Sequence, residues 1–154
     1  MAQLTLHSPI GELTLSEEDG ALVSLDWGRA PKEFQQPTPL LCEIRDALHA
    51  YFDGGKPTFD FPLRPSGTAF QHTVWQQMRS IPYGETRSYG EIARRISSAA
   101  RAVGNACGAN PIPIIIPCHR IVSQQGLGGY SGDGGGETKQ WLLQLEGASL
   151  PWLQ

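Results

Sequence analysis

The sequence has 154 residues, of which 40% are hydrophobic and 18% are charged, so it forms one or two small domains and is not wholly disordered. The net charge of −3 argues weakly against a nucleic-acid partner, and no window is apolar over the ~20 residues that a membrane helix needs. The 18 glycines and 12 prolines predict short elements joined by tight loops.

The start of the chain and its cysteines indicate the compartment. The first residues lack the basic start and the apolar run of a secretory signal, so we expect a cytoplasmic protein. Three cysteines are too few for a disulfide framework and lack the spacing of metal ligands. We therefore expect free thiols, no metal and no membrane contact.

The charge is unevenly distributed along the chain. Residues 1–69 have a net charge of −5 and residues 126–154 one of −2, whereas residues 70–125 carry six arginines against two glutamates. Such a segment allows one face of an acidic protein to contact phosphates. An ordinary solvated face explains the same charges equally well.

The first third of the chain alternates apolar and polar residues as strands do. Residues 3–7, 12–16 and 22–26 show this alternation and are separated by turn residues, which predicts a small antiparallel sheet. Apolar residues recur at helical spacing over residues 40–52, which predicts a helix.

A proline-rich and aromatic stretch at residues 59–67 is the best linker candidate. We place a boundary near residue 66 and expect an N-terminal domain over residues 1–65 and a C-terminal domain over residues 66–154. Because the second half reads as mostly helical, the predicted fold class is α+β.

Two of the predicted helices lie at the ends of the second half. Residues 68–80 place their apolar side chains on one face and stop before a Pro-Tyr-Gly turn. The last helix is predicted over residues 137–146, with three apolar residues turned inward: Trp141, Leu142 and Leu145.

Two short helices between them form a candidate helix-turn-helix. A Ser-x-x-Glu capping box predicts a helix from Tyr89 to about Ile96, and Ser97 or Ser98 is expected to cap a second helix over residues 99–107. A plain helical hairpin is the commoner explanation of such a pair. However, the second helix is built almost entirely of small residues, which favours close approach to another surface.

Residues 111–117, Pro-Ile-Pro-Ile-Ile-Ile-Pro, predict a rigid, extended and buried segment that delivers Cys118 and His119. A cysteine after an apolar run is usually an inert thiol, but a neighbouring histidine supplies the base that makes it a nucleophile. Because adjacent side chains of an extended strand face opposite ways, contact requires a turn at Cys118 or a water between thiol and imidazole. Glu146 is the candidate to orient the imidazole. Arg120 is expected to form a structural ion pair.

The segment around Cys118 carries a specific signature. From Arg101 to Val122 it closely resembles the methylated-DNA–protein-cysteine methyltransferases, suicide proteins that repair 6-O-alkylguanine in DNA, and Ile-Pro-Cys-His-Arg-Ile is their hallmark. The resemblance is strong over residues 66–150 and looser before them, and it is to the short bacterial form. Further matching pieces are Ile-Pro-Tyr-Gly-Glu at 81–85, Ser-Tyr-Gly-Glu-Ile-Ala at 88–93, Gly-Tyr-Ser-Gly at 129–132 and Trp-Leu-Leu-Gln-Leu-Glu-Gly at 141–147.

The resemblance implies a fold and an activity. The N-terminal domain would be ribonuclease-H-like and structural, and the C-terminal domain would hold the active cysteine and the helix-turn-helix. The protein would be a monomer without a cofactor. It would transfer an alkyl group irreversibly from 6-O-alkylguanine, and from 4-O-alkylthymine, in flipped-out bases of double-stranded DNA.

The resemblance also implies catalytic roles. Cys118 would accept the alkyl group, His119 would take its proton through a water, Glu146 would polarise His119, and Asn110 would brace the turn.

Base-binding and DNA-binding roles follow in the same way. Tyr89 would hydrogen-bond guanine N3, and Tyr130 would pack on the base. The amide of Ser131, which Gly132 follows, would donate to the 6-oxygen. The carbonyls of Cys118 and Ile121 would accept from the exocyclic amine. Arg101 would fill the place of the flipped base, while its helix would enter the minor groove through three small residues: Ala100, Ala102 and Gly104.

The sequence departs from the family at three places. The turn at residues 96–99 is about two residues short, which puts the role of Tyr89 in question. The glycine-rich loop between Ser131 and Trp141 is about two residues longer than usual. Cys107 replaces a bulkier apolar residue of the pocket wall and would admit larger alkyl groups.

Three other functions remain open from the residues themselves. A lesion binder of the same fold would lack the acceptor cysteine, which is present here. An alkylation sensor would need a regulatory segment. A Cys–His hydrolase would turn over repeatedly and would need neither Arg101 nor DNA.

Overall fold

In the computed structural model, which describes residues 1–124, 126, 128 and 135–150, three strands begin the chain: β1 (Ala2–Ser8), β2 (Gly11–Glu18) and β3 (Ala21–Trp27). They form an antiparallel sheet in the order β1-β2-β3. Asp19 and Gly20, with φ of 50° and 79°, form the tight turn between β2 and β3. Positive φ at both central residues gives the twist that a two-residue hairpin needs. The predicted antiparallel sheet is confirmed.

A single long helix, α1 (Pro39–Phe52), packs on β1 and β2. The hydroxyl of Thr38 accepts a hydrogen bond from the Leu41 amide, and Pro39 occupies the first helical position, where its missing N–H costs nothing. Leu41, Ile44 and Leu48 are fully buried against the leucines of the sheet. Each such side chain contributes about 1.5–3 kcal/mol by leaving water. Met1–Ser66 forms one compact unit of the chain.

The second unit, Gly67–Gln154, contains α2 (Ala69–Arg79), α3 (Tyr89–Arg95), α4 (Ala100–Gly108) and α5 (Gly136–Leu145). Thr68 and Gln71 form a capping box at the start of α2. Trp75, which is buried in this helix, donates through its indole N–H to the carbonyl of Ala106 in α4 at 2.9 Å. With a small antiparallel sheet and mostly helical second half, the predicted α+β class is confirmed.

The junction between α3 and α4 differs from the prediction. Ser97 and Ser98 do not cap α4, whose N-cap residue, Ala99, makes no side-chain bond. Instead the two serines finish α3: Ser97 has φ of 54°, and Ser98 donates to the Ala93 carbonyl at 2.8 Å. This is a Schellman ending, in which the backbone of the two serines satisfies the last carbonyls of the preceding helix.

Two short strands in the second unit were not predicted. β4 (Arg87–Ser88) runs parallel to β5 (Ile121–Val122), with Arg87 opposite Ile121 and Ser88 opposite Val122. Two paired residues leave almost no periodicity in a sequence. The pairing matters because it ties the start of α3, at Tyr89, to the chain that follows Cys118.

The inward face of α5 also differs from the prediction. Thr138, Lys139, Leu142 and Leu143 are buried, whereas Trp141 and Leu145 are half-buried. The buried face is therefore rotated by about one residue and brings a lysine into the interior. None of the helices in the described part of the chain has the length and apolar character to cross a membrane.

Candidate active site

Cys118 lies on a tight double turn. Pro117, with φ of −81° and ψ of 69°, forms an inverse γ-turn in which the Cys118 amide donates to the Ile116 carbonyl at 2.8 Å. Residues Cys118–Arg120 then make one turn of 3-10 helix. The chain is thus not extended at Cys118, which removes the geometric obstacle to Cys118 and His119 serving one site.

The side chain of Asn110 holds the loop that leads to this turn. Its amide nitrogen donates to the Ile116 carbonyl at 2.8 Å, and its amide oxygen accepts from the Ile112 N–H at 3.0 Å. Inside the loop Ile114 is buried and has φ of 75°. A left-handed β-branched residue costs about 1–3 kcal/mol and persists only where its surroundings impose it.

A buried ion cluster orients His119. Its Nε2 lies 2.6 Å from Oε2 of Glu146, and both side chains are fully shielded from solvent. Arg120 donates to both oxygens of that carboxylate, at 2.8 Å and 3.1 Å, and to the Ile81 carbonyl at 2.7 Å. The ion pair expected of Arg120 is confirmed.

The electrostatics of the cluster set the protonation of His119. Burial by itself would raise the pKa of Glu146, but its bonds and charge interactions with His119 and Arg120 outweigh burial and lower that pKa to about 2. Burial lowers the pKa of His119 more than Glu146 raises it, so the imidazole is neutral near neutral pH. Since a carboxylate can only accept, the proton of the neutral ring is on Nε2.

The second ring nitrogen of His119, Nδ1, is the candidate proton acceptor of the site. Nδ1 is buried and has no hydrogen-bond partner among the residues that the structure describes. An unpaired buried acceptor costs free energy and is unusual in a folded protein. It is therefore the atom of this ring that is ready to take a proton.

Cys118 is buried, with 4% of its surface exposed, and this burial raises the pKa of its thiol. A hydrogen bond from Asn110 and the charge of Lys139 act in the opposite direction and favour the thiolate. Cys107 is also buried, and burial raises the pKa of its thiol to about 12.

Lys139, which the sequence analysis did not single out, is fully buried, and its charge acts on the Cys118 thiol. Its Nζ lies 3.4 Å from the hydroxyl oxygen of Tyr89 and 5.6 Å from the centre of that ring. Burial lowers its pKa to about 8, against the attraction of the Cys118 and Cys107 thiols. Its position seven residues before Glu146 places it on the same face of α5, which was the available signal.

Tyr89 is fixed from more than one side. A β-carbon at Gly128, which has φ of 74°, would come within 2.8 Å of the Tyr89 hydroxyl oxygen. Gly104 of α4 faces another edge of the same ring. Only glycine at residue 128 leaves room for the tyrosine in this position.

Comparison with known proteins gives a consistent result over the whole chain. The DNA binding domain of 6-O-methylguanine DNA methyltransferase matches residues 69–148, and the ribonuclease-like domain of the same proteins matches residues 1–65. The methylated-DNA–protein-cysteine methyltransferase of Mycobacterium bovis is 46% identical over 158 residues, which cover 96% of this chain and 93% of that protein. The chain belongs to the methylated-DNA–protein-cysteine methyltransferase family.

Other members of the methyltransferase family agree. The Methanosarcina acetivorans protein is 42% identical over 151 residues, covering 92% of this chain and 96% of its own. The crystal structure of Mycobacterium tuberculosis OGT in complex with DNA superposes with a TM-score of 0.84 at 46% identity, covering 96% of this chain and 93% of that one.

The structure brings some of the residues predicted from the methyltransferase family together and leaves others apart or undescribed. Asn110, Cys118, His119 and Glu146 form one buried cluster, and Ile121 is buried in β5 directly after it. Arg101 is exposed in the first turn of α4, with Ala100 exposed and Ala102 and Gly104 half-buried. Three predicted residues lie outside the described residues: Tyr130, Ser131 and Gly132.

The sequence predicts no metal site. Among residues 1–124, 126, 128 and 135–150, no group of three or more His, Cys, Asp or Glu side chains is arranged to hold a metal ion.

Proposed function

We propose that this protein repairs alkylated DNA directly, by moving the alkyl group of 6-O-alkylguanine, and of 4-O-alkylthymine, to the sulfur of Cys118. The observation that best supports this proposal is the orientation of His119. Glu146 holds its Nε2, while its buried Nδ1 has no partner among the described residues. A neutral imidazole oriented in this way is a general base prepared for one nearby proton.

The proposed transfer moves one proton from Cys118 and one alkyl group onto it. The Cys118 proton passes to Nδ1 of His119 through a water, and the resulting thiolate attacks the alkyl carbon. A carbon–sulfur bond forms, the carbon–oxygen bond breaks, and its electron pair goes to the 6-oxygen. Tyr89 supplies a proton at guanine N3, so that a neutral base leaves. Glu146 stabilises the imidazolium that His119 becomes.

Lys139 supports two of these steps as a positioning residue. Its charge favours the thiolate of Cys118, and its ammonium holds the Tyr89 hydroxyl at 3.4 Å. A cation beside a phenol also favours loss of the phenolic proton. Lys139 therefore assists nucleophile and proton donor together.

The base must leave the duplex before this chemistry is possible. Extrusion costs a few kcal/mol, and Arg101 would fill the gap with a long cationic side chain. The small residues of α4 suit a minor groove only ~6 Å wide. Tyr130 would pack on the extruded base, the Ser131 amide, next to Gly132, would donate to the 6-oxygen, and the carbonyls of Cys118 and Ile121 would accept from the exocyclic amine.

The proposed division of labour follows the two parts of the chain. Residues 66–154 would carry recognition and transfer, and residues 1–65 would act as a structural domain of a monomer. The product is a thioether, a stable bond that no group of the mechanism attacks. Each molecule therefore acts once.

The decisive experiment measures intact mass after mixing the protein with a duplex that contains one 6-O-methylguanine, followed by peptide mapping. We expect one added methylene on the Cys118 peptide, saturating at one equivalent. Cys118→Ala should show no addition, whereas the matched thiol control Cys42→Ala should be modified fully, because Cys42 lies in α1 of the other unit.

The alternatives give different results. An unchanged mass with the lesion duplex still bound would point to a lesion binder or an alkylation sensor. Unchanged mass without binding would exclude DNA repair and leave a Cys–His hydrolase. Recovery of transfer by modified protein would contradict the single turnover.

A further inference from the structure

A group of exposed arginines surrounds the junction of α3 and α4. Arg94 and Arg95 are the last two residues of α3, and Arg101 lies in the first turn of α4. None of the three side chains forms an ion pair or hydrogen bond with a residue that the structure describes. By contrast, Arg87 pairs with Glu85 and Arg120 with Glu146.

One acidic residue, Glu91, lies in the same helix, and its carboxylate accepts a hydrogen bond from the Ser88 amide in the capping box. Between Glu91 and Asp133 there is no acidic residue, in a chain whose net charge is −3. Because an acidic protein as a whole repels a polyanion, a locally unneutralised surface is where such a partner would approach. Arg101 has a role in the proposed base flipping, whereas Arg94 and Arg95 of α3 have none in it.

The side chain of Arg94 lies along α3. Nη1 of Arg94 lies 3.5 Å from where a β-carbon of Gly90 would be, so the guanidinium folds back over the first turn of its helix. Tyr89 is the adjacent residue. At the other end, only residues 96–99 separate Arg95 from α4.

We propose that Arg94 and Arg95 contact phosphates of the duplex beside the flipped nucleotide and thereby supply much of the affinity for undamaged DNA. This inference rests on the proposed repair of duplex DNA. Charge complementarity identifies the partner: a guanidinium fork matches phosphate oxygens, and Arg101 of the neighbouring helix approaches the same polyanion. A simpler role exists, since cations at the end of a helix stabilise it by about 0.3–1 kcal/mol.

The test measures the dissociation constant for an unmodified duplex as a function of salt. Each phosphate contact contributes ~0.9 to the slope of log affinity against log salt. For Arg94→Gln/Arg95→Gln the slope should fall by about 1.8, so between about 50 and 200 mM salt the wild type should lose about 12-fold more affinity than the variant. The matched control, Arg29→Gln/Arg45→Gln, changes net charge equally in the other unit and should keep the wild-type slope.

Two further measurements separate the possible failures. Alkyl transfer from free 6-O-methylguanine nucleoside, which offers no phosphate backbone, should proceed at the same rate in wild type and double variant. An unchanged slope, or an equal fall in the control, would overturn the phosphate contacts, as would a loss of stability without loss of binding. If the wild type transferred no methyl group from either substrate, the proposed function would fail while the slopes still decided the role of the arginines.

Discussion

Replacing Glu146 by glutamine removes the only negative charge of a buried cluster while keeping its shape. The carboxylate accepts from His119 at 2.6 Å and from Arg120 at 2.8 Å and 3.1 Å, with no exposed side-chain surface. Its pKa in the folded protein is about 2, against 4.5 for the free side chain. At 1.36 kcal/mol per pKa unit, ionised Glu146 stabilises the fold by about 3 kcal/mol, which agrees with the ~3–5 kcal/mol lost when one member of a buried pair is removed.

The pH dependence has a definite sign. A carboxyl whose pKa is lowered by folding contributes its full stability above its unfolded pKa and loses it as pH falls towards the folded pKa. The difference between wild type and Glu146→Gln should therefore be largest near neutral pH. It should shrink between about pH 4.5 and pH 2, reaching about 2 kcal/mol near pH 3.5.

Urea denaturation at several pH values measures this difference in unfolding free energy. The control is Glu137→Gln, an exposed acid in the first turn of the same helix, which should cost less than about 1 kcal/mol. The single-turnover rate of methyl transfer should fall as well, because His119 loses the partner that orients it. Equal stability of wild type and Glu146→Gln near neutral pH, or a difference that stays constant down to pH 3, would refute the reasoning.

Three other substitutions or reagents test the remaining buried groups. Lys139→Met should raise the unfolding free energy near neutral pH by about 1–3 kcal/mol, because a pKa of about 8 means that folding disfavours the charged amine. The same variant should transfer the methyl group more slowly. A variant that is slower and also less stable would contradict this. Asn110→Ala should cost about 1–3 kcal/mol in urea denaturation, since it leaves the Ile112 amide unsatisfied. Iodoacetamide near pH 8 should label half-exposed Cys42 well before Cys107, because Cys107 is buried and its thiol has a pKa of about 12. Equal labelling of the two cysteines in the native state would show that Cys107 is not buried.

The parts of the fold that depend on neighbouring residues were readable from the sequence. The capping box that begins at Ser88 marks the start of α3 because its two bonds link residues three apart. The Asp19–Gly20 turn and the alternation beside it define the hairpin for the same reason. The specific signature around Cys118 indicated the chemistry, although not the geometry that makes it possible.

The parts that depend on distant residues were not readable. Lys139 on α5 meets Tyr89, fifty residues earlier in the chain, and apart from its spacing to Glu146 nothing in the local pattern distinguishes a buried lysine from a solvated one. Because serine is a good N-cap, the pattern at residues 97–98 predicts a cap for α4, whereas the backbone of this pair ends α3. In both cases the competing interaction is made by atoms that a local pattern does not include.

The proline-rich segment before Cys118 resolves an apparent conflict between sequence and chemistry. An extended chain would send the side chains of Cys118 and His119 to opposite faces, yet the proposed transfer needs both at one pocket. The γ-turn at Pro117 and the following 3-10 turn redirect the chain, and the Asn110 amide supplies the bonds that a segment rich in proline cannot make for itself. The left-handed Ile114 is the strained part of this arrangement, and its complete burial provides the packing that can hold it. In the proposed transfer, Cys118 and His119 can therefore act together although they are neighbours in sequence, because the segment before them is stiff and hydrogen-bonded to Asn110.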